Sequence, residues 1–131
     1  MTRETRIPGP DHPITTEPAR ARVTVRAHGR VLAETTDALV LREAHYPPVH
    51  YLPPGAMDPA LLRRTETRTY CPYKGEAGHW AVLTPDGEIA DAAWSYDAPC
   101  PAVAEIAGRL AFYPSRVEIT VEETAAEGAQ A

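Results

Sequence analysis

The sequence predicts a mainly-β fold, a small single domain of short antiparallel strands with two short helices. Three observations lead there. Fourteen prolines in 131 residues leave little room for long helices, because proline lacks the backbone donor and clashes with the preceding turn. Apolar and polar residues alternate at period two through most of the region from Arg22 to Val121. Finally, the alternating runs are divided by Gly, Pro and Asp, which set the backbone angles that turns require.

Each element follows from this pattern. The proline-rich residues 1–20 read as an N-terminal arm without a core of its own, residues 21–122 as the domain, and 123–131 as an acidic flexible tail. Arg22–Arg26 alternates, His28-Gly29 supplies a turn, and Val31–Ala33 resumes, which predicts a hairpin with one buried face. Ala38–Glu43 and Val49–Leu52 are further strands, separated by Tyr46-Pro47-Pro48. At Met57–Arg63 the rhythm changes: Asp58 suits an N-cap and Pro59 a first helical position, predicting a short helix. Strands return at Thr65–Tyr70 and His79–Thr84 on either side of a Cys71–Gly75 turn. Pro85-Asp86-Gly87 then turns the chain so that Glu88–Trp94 pairs back. The second helix is predicted over Pro101–Leu110, with Val103, Ile106, Ala107 and Leu110 on one face. Arg116–Val121 is the last strand.

Composition narrows the function. Eighteen acidic against 13 basic residues argue against nucleic acid as a partner. No apolar run approaches the roughly 20 residues of a membrane-spanning helix, so no membrane partner is expected. The first ten residues lack the apolar segment of a secretory signal, which gives a cytoplasmic expectation with Cys71 and Cys100 reduced. Exposed strand edges leave a homodimer open.

The stretch T-Y-C-P-Y-K-G, Thr69–Gly75, concentrates chemistry. A thiol near a cation is primed as a nucleophile, and Lys74 follows Cys71 by three residues. His79 and His50 are the candidate bases for it. The competing reading is a small buried cysteine beside a solvated lysine. Metal binding has no support, since the two cysteines lie far apart and His12, His28, His45, His50 and His79 form no short-spaced pair. Phosphate-binding glycine loops are absent, and Asp86, Glu88 and Asp91 are strung along one hairpin, so no cofactor is expected. In Asp91–Tyr96, alternation puts Asp91 and Ala93 on one face and Ala92, Trp94 and Tyr96 on the other. Small alanines there would open a groove walled by Trp94 and Tyr96, whereas Trp80 reads as a core residue.

The series C-P-Y-K-G, Trp80, D-A-A-W-S-Y (Asp91–Tyr96) and I-A-G-R-L-A-F-Y (Ile106–Tyr113) resembles the domain of unknown function 427 family. V-H-Y-L-P-P (Val49–Pro54) looks like that family's N-terminal half, and the resemblance spans Arg22 to Val121. It implies an Mss4-like β-tent, similar to relatives of methionine sulfoxide reductase B. Those relatives often hold zinc on paired CxxC motifs that are lacking here, so zinc is not carried over. The family is sometimes labelled nucleotidyltransferase-like. Its recurring residues fall on Glu43, Tyr51, Cys71, Tyr73, Lys74, Trp80, Asp91, Trp94 and Tyr96. That mixture suits a pocket more than a plain core. The resulting expectation is a small-molecule-binding domain. Cys71, Lys74 and Asp91 are the catalytic candidates for transfer or hydrolysis, with Asp91 orienting Lys74 or acting as a base. Glu43, Tyr51, Tyr73, Trp94 and Tyr96 are the ligand-binding candidates. The alternatives are a non-catalytic ligand sensor and a protein-interaction domain.

Overall fold

A computed structural model of the chain describes residues 5–123. Three antiparallel sheets form the domain. The first contains β1 (Ile14–Pro18), β4 (Leu39–Glu43) and β5 (Val49–Tyr51), in that spatial order. The second places β2 (Ala21–Ala27) between β10 (Glu118–Glu123) and β3 (Arg30–Thr35). The third runs β6 (Leu62–Cys71), β7 (Gly75–Thr84), β8 (Gly87–Ser95) and β9 (Ala111–Phe112). Among the described residues, no helix is long and apolar enough to cross a membrane.

The predicted hairpins form where turn chemistry specified them. His28 and Gly29 both take positive φ, 54° and 77°, the two-residue geometry that matches strand twist. Gly75, at φ 110°, closes the Cys71–Gly75 turn. A Cβ there would lie 3.5 Å from both Ala98 O and Cys100 N, because residues 98–100 pack against the turn.

Three expectations need correction. Part of the supposed coreless arm is a strand, as Ile14–Pro18 pairs residue for residue with Leu39–Glu43. Proline is tolerated there because β1 is an edge strand, where a missing N–H breaks no ladder. The two helices are short 3-10 segments, Pro59–Leu61 and Pro101–Ile106. Asp58 does cap the first, accepting from Ala60 N at 2.9 Å, but Leu62 is already extended and feeds β6. In the second, Val103 leaves helical angles (φ −127°, ψ 34°), and only Val103 and Ile106 of it are buried. The residues of the acidic tail beyond Glu123 lie outside the described residues.

Burial divides into two cores. One gathers Val23, Val25, Leu52, Val82, Phe112 and their neighbours between the second and third sheets. The other gathers Leu41, Tyr51, Tyr96, Val103 and Ile106, with Trp94 packed against it. Tyr51 and Leu52 are adjacent in sequence and point into different cores, as alternation along a strand requires. The seam between the cores therefore falls at β5 and β8.

Candidate functional site

Seven of the eight predicted site residues gather around the second core and the Cys71–Gly75 turn. Glu43 ends β4 and faces Lys74 in the turn, and the two form an ion pair with side chains only 14% and 13% exposed. The other Glu43 oxygen meets His12 Nε2 at 2.7 Å. The His12 ring lies flat on Tyr73, centroids 4.0 Å apart. Burial alone would raise the Glu43 pKa, yet the hydrogen bonds from Lys74 and His12 bring it below the ordinary carboxylate value.

Behind this ion pair lies an aromatic layer. Trp94 Nε1 donates to the Tyr51 hydroxyl at 3.3 Å, with the rings edge-on at 88°. Burial pushes the Tyr51 phenol up to about 12, with Glu43 and Cys71 adding to the rise and the Trp94 hydrogen bond opposing it. Burial also drives Tyr96 strongly upward, assisted by Tyr51, Cys71 and Glu43. Cys71 itself is a free, half-buried thiol at the end of β6. Its turn is buttressed by Cys100, whose backbone N–H donates to Lys74 O at 2.9 Å.

Asp91 does not join this group. Pairing on β8 jumps from Ile89↔Val82 to Ala93↔Trp80, so Asp91 sits in a bulge with φ 49°. On the far side of β7, strand β6 breaks register between Arg64 and Arg68. The two irregularities meet across β7: Thr65 and Thr67 donate to the two Asp91 oxygens at 2.6 and 2.7 Å. Those bonds, Thr65 first, hold the Asp91 carboxyl below its usual range. The expected Asp91–Lys74 partnership is thus corrected, since Lys74 pairs with Glu43. Simple alternation could not foresee this because a bulge re-aims the side chain.

The histidines also differ from expectation. His79 is 3% exposed, its Nε2 lies 3.0 Å from the Tyr113 hydroxyl, and its buried Nδ1 has no hydrogen-bond partner among the described residues. Tyr113 in turn lies against Trp94, centroids 4.4 Å apart, so His79, Tyr113, Trp94 and Tyr51 form one aromatic chain. Trp80 is partly buried and packs against the first core, donating to Ser95 Oγ at 3.0 Å under the Arg64 guanidinium.

The groove expected at the Asp91–Tyr96 alanines is corrected: Ala92, Ala93 and Tyr96 are buried, and the cleft lies elsewhere against Trp94. It opens at the seam between the cores, with a volume of about 450 Å³. Val23 and Val25 of β2, Ile119 and Val121 of β10, and Phe112 line one side. Trp94, Val49, His50 and the Tyr46-Pro47-Pro48 segment line the other. The signal was the unbroken valine alternation of β2 together with the apolar face of β10, which the sequence could not place opposite Trp94. Trp94 is the predicted site residue that lines the cleft.

The fold and these side chains define a small mainly-β domain with an apolar cleft backed by a saturated cluster of polar and aromatic groups. The family model described as a domain of unknown function, DUF427, matches residues 15–123, and the chain belongs to that family. No curated protein matches it.

Proposed function

We propose that this protein is a small-molecule-binding domain whose ligand occupies the cleft at the seam of the two cores. One observation carries this: a cavity of about 450 Å³ with a mostly apolar lining, a size and chemistry that suit small ligands. Trp94 gives the ligand a flat face, and its bond to Tyr51 holds that face in place. Supporting a binding role rather than thiol catalysis, Lys74 and Asp91 are engaged by separate partners, and His79 is turned to Tyr113. In this reading Glu43, Tyr51, Tyr73, Lys74 and Tyr96 shape the wall behind Trp94. The family resemblance and the three antiparallel sheets support a β-tent architecture.

Ligand-observed NMR with a fragment library tests the reading. Val121 is 41% exposed on the edge strand β10 and lines the cleft, so Val121→Trp should fill the cleft without disturbing the cores. Expected hits compete with one another and disappear with Val121→Trp. Hits that all survive the substitution would exclude the cleft.

A further inference from the structure

We infer that the cleft selects an uncharged, largely apolar ligand, ring-shaped on one face and carrying a single hydrogen-bonding group that meets His50. This rests on the binding role proposed above and specifies what is bound.

The chemistry of the lining makes the argument. Among the described residues, no Asp, Glu, Lys or Arg lines the cleft. A charged ligand would leave its water shell and find no opposite charge in the lining itself, Arg42 near His50 lying outside it, a cost that apolar contact does not recover. Apart from Trp94, whose N–H is taken by Tyr51, His50 and Tyr46 are the lining side chains with hydrogen-bonding heads. Tyr46 is 56% exposed, at the mouth, whereas His50 is half-buried on β5. Desolvation first, and then the nearby Arg42 charge, lower the His50 pKa. Its imidazole is therefore neutral at physiological pH, with a donor on one nitrogen and an acceptor on the other. Such a group recognises a hydroxyl or carbonyl without demanding charge.

Geometry supplies the rest. The Trp94 indole is fixed on one side by Tyr51 and on the other by Tyr113, so it presents a rigid surface on which a planar ring stacks. Facing it, Ile119 and Val121 are aliphatic and offer only shape, with the fully buried Val23 and Val25 packed beneath them. A cavity of about 450 Å³ falls in the lower part of the small-ligand range of about 300–1,000 Å³. A protein partner would need a broad face of about 800 Å² per side. The occupant is a small molecule.

Four matched probes distinguish the possibilities: naphthalene, 2-naphthol, 2-naphthoate and 2-naphthylmethylammonium, titrated at pH 7.5 by ligand-observed NMR. The wild-type chain is compared with Val121→Trp, His50→Phe and Val31→Trp, the last an exposed valine on β3 that does not line the cleft. The expected order places 2-naphthol first, at least about tenfold tighter than either charged probe, since burying an unpaired charge is costly. Val121→Trp should abolish binding and Val31→Trp should leave it intact. His50→Phe should bring 2-naphthol down to the level of naphthalene. Tightest binding of 2-naphthoate or of the ammonium probe, still lost in Val121→Trp, overturns the neutral-ligand assignment while leaving the cleft a binding site. If no probe shows binding that depends on Val121, both readings fall. A wild-type dimer in light scattering that Val121→Trp makes monomeric would assign the cleft to a second copy of the chain and overturn the inference.

Discussion

The Trp94 indole N–H donates to the Tyr51 hydroxyl at 3.3 Å, tying β8 to β5 where the two cores meet. Tyr51 is 1% exposed, so its hydroxyl has no ready replacement partner in water. Tyr51→Phe should cost about 1 kcal/mol, the net worth of one such bond, and should loosen the indole. Urea denaturation measures the first effect. Broadening of the Trp94 side-chain N–H resonance reports the second.

The same tyrosine governs behaviour in alkali. An unfolded tyrosine titrates near 10, while folded Tyr51 is pushed to about 12. Between those values the unfolded chain loses the proton first, so folding stability is complete below pH 10 and falls as pH rises toward 12. Tyr96 and Tyr113, also raised by burial, act with the same sign. Stability measured from pH 9 to 12 should decline, and Tyr51→Phe should flatten the slope. An unchanged slope would show that Tyr51 is already ionised or solvated in the fold.

Glu43 and Lys74 should behave as a unit. Glu43→Gln leaves a largely buried ammonium without its counter-charge and should cost about 3 kcal/mol. Adding Lys74→Met removes that stranded charge, so the double variant should be more stable than the sum of the two single losses. Because the Glu43 pKa is lowered in the fold, its contribution is present above its ordinary value near 4.5 and lost as pH falls below it. Strict additivity in the double-mutant cycle would argue against the pair.

Asp91 tests the bulge. Its φ of 49° is a conformation that Asn adopts readily and β-branched residues resist. Asp91→Asn should cost under about 1 kcal/mol and Asp91→Val about 2 kcal/mol or more. Equal costs would mean that the carboxylate, not the backbone, sets the position.

The segment ahead of β1 is a strap across the Cys71–Gly75 turn. Arg6 N donates to Pro72 O at 2.9 Å, Thr5 meets the Tyr70 hydroxyl, and His12 joins Glu43 and Tyr73. Deleting residues 1–12 should lower Tm by about 5 °C. Hydrogen exchange should accelerate in residues 70–74 and stay unchanged in β2. Uniform acceleration would mean that the strap supports the whole fold.

The sequence alone carried the strand content, the hairpin turns at His28-Gly29, Cys71–Gly75 and Pro85-Asp86-Gly87, and the family resemblance. These are local properties: alternation and backbone angle are written within a few residues. It also brought together Glu43, Tyr51, Cys71, Tyr73, Lys74, Trp94 and Tyr96, because the family's recurring residues pointed to one place. Only the tertiary structure decided their partners. The bulge at Asp91 turned its carboxylate to Thr65 and Thr67, and Lys74 went to Glu43. His12, in a segment with no pattern of its own, became the second ligand of that carboxylate. The cleft arises because β2 and β10 face Trp94 and β5 across a seam between two cores. Such a seam depends on how sheets pack, and packing joins residues whose separation along the chain carries no periodic signal.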